Sequence, residues 1–298
     1  MANIPQAKTS SLPDAKTKEM NFLDSSFFKT HPGKPLPSPA EVAARSKDFS
    51  KHRPTPVKFD DLNLIVKFGC RVVVEEAISM RMLRKILADK VPIPEVYGWK
   101  VDGDYVFIYM ELIQGESLYN RWDHLIELDR ESICHELRDI VSSIRQVEQD
   151  PIDPFIGSMT RKCLLDYIFE HIPPGGPFKS IKEFNDWFST LPQRWLPDSQ
   201  KYSDPYRPYL PDTGTIKLTH GDLHQGNIMI SSTSPPRVLA VIDWAHAGWY
   251  PDYWEYCKAL YTTTIEGEWR NVWIPKFLGP YTTEFKVFAE YIMQIGAV

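Results

Sequence analysis

Lysine and arginine never cluster along this 298-residue chain, whose formal net charge is −5. A nucleic-acid partner held by phosphate neutralisation is therefore not expected. Cysteine is scarce. Cys70, Cys134, Cys163 and Cys257 stand far apart with no CxxC pair, which argues against a disulfide framework or zinc knuckle and suits free thiols in a reducing compartment. No apolar run approaches the length of a membrane span, and the opening MANIPQAKTSSLPDAKTKEM lacks the apolar core of a signal peptide. The expected setting is the cytoplasm, without membrane contact; composition says nothing about oligomeric state. Glycine is nearly missing early on, with Gly33 alone before Lys67. What is present is globular: 43% hydrophobic and 13% aromatic residues, enough for one large core or two lobes.

The pattern along the chain predicts three regions. Residues 1–56, rich in Ser, Thr, Lys and Pro, read as a mobile arm with one short helix at 39–48, because HPGKPLPSP cannot hold a helix or a central strand. Residues 57–111 read as a β-rich first lobe. VKFDDLNLIVK predicts a hairpin around Asp60 and Asp61 that ends at Lys67, and GWKVDGDYVFIYMEL predicts two strands around Asp102 and Gly103. Between them, 74–89 places Ala77, Met80, Leu83 and Leu87 on one helical stripe. Residues 112–298 read as a mainly helical second lobe, with helices near 129–148 and 180–191 and ordered insertions over 150–212. In WYPDYWEYCKALYTT, Pro251 is expected at the first position of a helix, with Asp252 and Glu255 in its first turn.

The chemistry gathers between 215 and 243. TIKLT predicts a strand, HGDLHQGN a loop, and NIMI and VLAVI the two strands of a hairpin. In that hairpin Asn227 and Asp243 meet at the open end. Both offer hard oxygen ligands, and Mg²⁺ is commonly held by one or two such groups plus waters and substrate phosphates. Asp222, on the loop, would project toward the same space, where a carboxylate that does not bind the metal can accept a hydroxyl proton.

HGDLHQGN fits an HxDxxxxN catalytic loop and VIDW a metal-binding aspartate strand. Together they resemble the aminoglycoside phosphotransferase and choline kinase superfamily. IDWAHAGWYPDYWEYCKAL and EFNDW make the chain similar to fungal aminoglycoside phosphotransferase domain proteins over about 57–295. The resemblance implies an α+β, two-lobed protein-kinase-like fold with a truncated first lobe, ATP and Mg²⁺ as cofactors, and transfer of the γ-phosphoryl group to a hydroxyl of a small molecule. It further implies Asp222 as catalytic base, His220 as the loop-ordering histidine, Asn227 and Asp243 as metal ligands, and Lys67 with Glu76 as the pair that aligns the phosphates. Glu75 is the rival partner for Lys67. Glu111 to Ile113 would be the hinge whose backbone binds adenine. The departure is the missing Gly-rich loop: either the Asp60–Asp61 hairpin covers the phosphates, or nucleotide binding is weak.

Three other readings are carried forward. A degenerate, non-catalytic kinase used as a scaffold would explain the missing loop. His220, Asp222 and His246 spell the ligand order of a two-histidine, one-carboxylate iron site. The aromatics Trp244, Trp249, Tyr250, Tyr253 and Trp254 are candidates for a cage around a cationic acceptor, against the plainer expectation that they are core.

Overall fold

A computed structural model describes residues 13–297, and its first elements fall where a mobile arm is expected. β1 (Glu19–Asn21), α1 (Ser26–Thr30) and α2 (Pro39–Arg45) are all ordered there, while residues 1–12 lie outside the described residues. α2 begins at a capping box: the Ser38 hydroxyl accepts from Glu41 N–H, and the Glu41 carboxylate accepts from Ser38 N–H. Pro39 opens the helix, where its missing N–H leaves nothing unsatisfied.

β2 (Val57–Phe59) and β3 (Leu64–Gly69) flank a 3₁₀ turn at Asp60–Leu62, closed by Asn63 at φ 48°. α3 (Val74–Leu87) follows, then β4 (Val96–Asp102) and β5 (Tyr105–Glu111). The strand order is β1-β4-β5-β3-β2, with every pair antiparallel. On α3 the residues Ala77, Met80, Leu83 and Leu87 are no more than 1% exposed, so the helical stripe faces the core.

The two faces of this sheet explain why residues 13–56 are ordered. Alternation along β3 sends Leu64, Val66 and Phe68 to one face, where they join Tyr97, Phe107 and Tyr109. Phe27, Leu36 and Val42 from the N-terminal segment complete that cluster. Ile65 and Lys67 point the other way, Lys67 onto α3. A sheet that is apolar on both faces needs cover on both, and α3 supplies only one. The N-terminal segment supplies the other, pinned where Trp99 Nε1–H donates to Thr17 O at 2.8 Å and Arg81 meets Asp24 at 2.6 Å.

The second lobe opens with β6 (Glu116–Ser117), α4 (Leu118–Arg121) and the long α5 (Glu127–Arg145). β7 (Gly157–Ser158) and α6 (Ile181–Thr190) lie within the 150–212 region. Next come β8 (Ile216–Thr219), β9 (Ile228–Ile230), β10 (Val238–Val241) and β11 (Gly248–Pro251). α7 (Trp254–Tyr261), α8 (Ile274–Phe277) and α9 (Thr282–Ile295) close the chain. β9 and β10 form the expected hairpin, extended to a sheet of order β10-β9-β6, and a second small sheet runs β7-β11-β8. The whole is a two-lobed, protein-kinase-like α+β fold. No helix among the described residues is long and apolar enough to cross a membrane.

One expectation is corrected here. Pro251 does not open a helix: it ends β11, paired with Ile216 of β8. β7 reaches only as far as Trp249, so nothing on that side needs the N–H that proline lacks. Asp252 then bonds to Thr215, N–H to O at 3.0 Å and carboxylate to hydroxyl at 3.2 Å, instead of sitting in a first helical turn. Trp244, Trp249, Tyr250, Tyr253 and Trp254 are no more than 2% exposed, so they are core, as the plainer expectation has it, and form no cage.

Gly98 on β4 gives a test of the ordered N-terminal segment. A Cβ there would collide with Met20 O and press on Leu36 Cδ1 at 3.0 Å. Gly98→Ala should lower stability by about 1–3 kcal/mol and open residues 13–24 to protease, read by denaturant midpoint and limited proteolysis. An unchanged midpoint with unchanged protection would show that β1 is not held against β4.

Candidate active site

β3, α3 and the end of β10 converge on one ammonium group. Because Lys67 lies on the sheet face opposite Val66, its side chain passes toward α3 and the second lobe. Nζ is 2.8 Å from Glu76 Oε1 and 2.7 Å from Asp243 Oδ1. Glu75 is not its partner; that carboxylate pairs with Lys162 at 2.6 Å. Glu76 is 1% exposed, and its second oxygen has no partner. Burial pushes its pKa up to about 7 against the pull of Lys67. Burial alone would lower Lys67, but Glu76 and Asp243 outweigh it and hold the ammonium form.

The loop between β8 and β9 is fixed by its own histidine and by a glutamate from α7. His220 is fully buried. Its Nδ1 accepts from Asp222 N–H at 3.2 Å and its Nε2–H donates to Ile242 O at 3.1 Å, so the ring is neutral and ties the loop to the residue before Asp243. Burial pushes its pKa down to about 4. With both ring nitrogens engaged, His220 cannot serve as an iron ligand, which removes the two-histidine alternative. Glu255 accepts from His220 N–H at 2.5 Å and from Gly221 N–H at 3.2 Å. Sequence reasoning saw Glu255 only as a first-turn acid. Its partners lie in a distant loop, and no spacing rule connects them.

Asp222 is held from two sides. Asn227 Nδ2 gives both hydrogens to it, at 2.9 Å to the backbone O and 3.0 Å to Oδ2. His224 accepts from Gly226 N–H on Nδ1, which leaves the Nε2 proton facing Asp222 Oδ2 at 3.6 Å, beyond hydrogen-bond length. Burial opposes the charge on Asp222. The His224 ring, with His246 beside it, outweighs burial and holds the carboxyl well below the usual range. Asp243 follows Ile242, whose N–H donates to Asn227 O at 2.9 Å, so the two segments are joined at the hairpin's open end. Asp243 adopts φ 62°, a left-handed conformation uncommon for a non-glycine residue and often found at functional sites.

Lys67, Asp222, Asp243 and Glu76 line one cavity of about 810 Å³. Glu111 and Ile113 are not among its walls. In that segment Leu112 N–H donates to Asn63 O at 3.1 Å and Gly115 N–H to Ile113 O at 3.0 Å, while the Ile113 N–H makes no hydrogen bond among the described residues. The Asp60–Asp61 turn is no phosphate cover either: it sits beside 112–114, where Gln114 Nε2 reaches Asn63 Oδ1 at 3.4 Å. The segment bordering the cavity near Lys67 is His52–Pro56, packed so closely that a Cβ on Gly69 would lie 3.2 Å from Pro54 Cδ.

A profile of the phosphotransferase enzyme family (APH) matches residues 57–284. The chain belongs to that family. Among solved structures, the apo form of a thermostable mutant of aminoglycoside phosphotransferase APH(4)-Ia superposes with a TM-score of 0.55 at 14% identity, over 84% of this chain and 83% of that one. A mutant of the same enzyme in ternary complex with AMP-PNP and hygromycin B gives 0.54 at 13% identity over the same shares. At these identities the likeness is one of fold. A subtelomeric hrmA-associated cluster protein of Aspergillus fumigatus is 32% identical over 99 residues, 31% of this chain and 18% of that relative. The chain thus spans less than a fifth of that curated relative's length.

A divalent cation of the kind phosphotransferases use fits this APH chain's donor set. The Asn227 hydrogen bonds run through Nδ2, leaving Oδ1 turned away from Asp222, and only one Asp243 oxygen is taken by Lys67. Both are hard ligands. No three His, Cys, Asp or Glu side chains gather into a cage among the described residues, so phosphates and waters would have to complete the shell, as suits Mg²⁺.

The buried histidine sets a pH dependence. The folded state binds the His220 proton less tightly than the unfolded chain, so its contribution is fully present above pH 6.5 and is lost as pH falls from 6.5 toward 4. The loss over that window should be on the order of 3 kcal/mol. His220→Gln should remove this part of the pH slope in denaturant titrations; an equally steep slope in the variant would contradict the neutral, buried ring.

Proposed function

We propose that this chain transfers the γ-phosphoryl group of ATP to a hydroxyl of a small molecule. The observation that carries the proposal is the Lys67 ammonium, 2.8 Å from Glu76 and 2.7 Å from Asp243, opening on the same cavity as Asp222. Glu76 orients Lys67, and phosphate oxygens compete with Asp243 for its protons. Asn227 and Asp243 would hold Mg²⁺, which supplies charge neutralisation on the transferring phosphates. Asp222, kept ionised and fixed by Asn227, accepts the acceptor's hydroxyl proton on Oδ1 or Oδ2. His220 and Glu255 act on none of the reacting atoms; they hold the loop that carries Asp222. Adenine would lie against the 111–113 backbone, where the Ile113 N–H has no partner among the described residues.

Most of the rate would come from positioning and electrostatics, since phosphoryl transfer asks little covalent chemistry of the protein. A non-catalytic scaffold is the second reading, favoured by one observation: His52–Pro56, not a glycine-rich loop, borders the cavity beside Lys67.

Asp222→Asn separates the two. It should keep MgATP affinity within about threefold and lower turnover by roughly 10²–10⁴, measured by calorimetry and by labelled-phosphate transfer to a metabolite extract. Equal transfer by variant and parent would end the base assignment, and no transfer by the parent would favour the scaffold.

A further inference from the structure

Away from Lys67 and Asp222, the cavity is walled by Leu164, Leu165, Tyr167, Phe169, Ile172 and Pro174. These residues belong to the second lobe, and 111–113 are not among the cavity's walls, so this wall is where an acceptor rather than adenine would sit. Charge on this wall is almost entirely paired. Glu76 and Asp243 share Lys67; Asp166 meets Lys258 at 2.6 Å with both side chains fully buried; Glu170 pairs with Arg71. Among the described residues that leaves Asp222 as the one carboxylate lining the cavity without a lysine or arginine partner, and Asp222 is the proposed base. Arg53 lines the same cavity and makes no ion pair or hydrogen bond among the described residues.

Resting on the phosphotransferase reading of this site, we infer that its acceptor is an uncharged hydroxyl compound with an apolar or aromatic body, not an amine-rich sugar. An ammonium group entering this cavity would find a single carboxylate without a cationic partner, Asp222, and pairing with it would occupy the group the reaction needs as its base. A compound carrying several such groups would in addition meet the Arg53 guanidinium. An apolar body, by contrast, covers the exposed parts of Leu165 and Pro174 and packs against Tyr167, whose ring already carries the Lys258 ammonium 3.8 Å from its centre. One polar atom remains for orientation: His246 Nδ1 is buried without a partner, in a ring 5.0 Å from that of Tyr167. An apolar wall with few placed polar groups is the usual composition of a small-molecule site.

The test uses the full chain and three titrations by calorimetry: a panel of phenyl, benzyl and octyl glucosides as uncharged probes, hygromycin B as the amine-bearing probe, and MgATP. At least one glucoside should bind, and hygromycin B should not displace it. Leu165, only partly buried, takes the discriminating substitution. Leu165→Asp, which places an unpaired carboxylate on the wall, should weaken glucoside binding at least tenfold and admit hygromycin B. Hygromycin B binding to the parent as tightly as any glucoside would overturn the inference, as would glucoside binding that Leu165→Asp leaves unchanged, or no glucoside binding up to millimolar. MgATP binding alongside a preference for hygromycin B sinks the inference and spares the phosphotransferase reading. Glucoside binding without MgATP binding upholds the character of the cavity and sinks that reading instead.

Discussion

One ammonium group shared by two carboxylates links the lobes chemically. Glu76 comes from the helix of the first lobe, Asp243 from the end of a hairpin in the second, and Lys67 reaches both from the strand between. With Glu76 1% exposed, such a contact is strong only while both partners are present: removing one member of a buried pair commonly costs about 3–5 kcal/mol, because the other is left charged and unsolvated. Two carboxylates against one ammonium, with Asp222 ionised nearby, also leave the site with surplus negative charge. That surplus is what a divalent cation and its nucleotide would neutralise.

Around that contact the fold acts as a set of braces. His220 ties the loop to Ile242, one residue from Asp243, and Glu255 ties the same loop to α7. Asn227 fixes Asp222 while leaving its own oxygen free. Each brace is a hydrogen bond between buried or partly buried partners, so each specifies geometry more than it adds net stability. The left-handed conformation of Asp243 belongs to the same pattern, a local strain held in place by the surrounding ladder.

Much of this was legible in the residues. Leu64, Val66 and Phe68 alternate with Ile65 and Lys67, so the strand's period alone decides that Lys67 shares a face with α3. The order of strand, loop and hairpin from 215 to 243 likewise decides that Asn227 and Asp243 are neighbours. The N-terminal segment was misread because proline and serine weigh against secondary structure locally, whereas Phe27, Leu36 and Val42 answer a distant demand: the apolar outer face of the sheet. That demand is visible in the unbroken run YVFIYMEL, which buries both faces, but which segment meets it is not. Pro251 and Asp252 were misplaced for a similar reason. A helix-start pattern describes WYPDYWEY well until the short strand opposite, Ile216–Thr219, claims residues 248–251 for its own ladder. The wall at 164–174 carries no motif, since apolar contact needs no fixed spacing.

The proposal that Asn227 and Asp243 hold a nucleotide-bound cation is tested most directly by titrating ATP into the protein with Mg²⁺ and again with the metal chelated. Affinity should fall at least about tenfold when Mg²⁺ is removed, because two protein ligands cannot hold the phosphates without it. Equal affinity in both titrations would contradict the assignment of that hairpin as the metal-binding site.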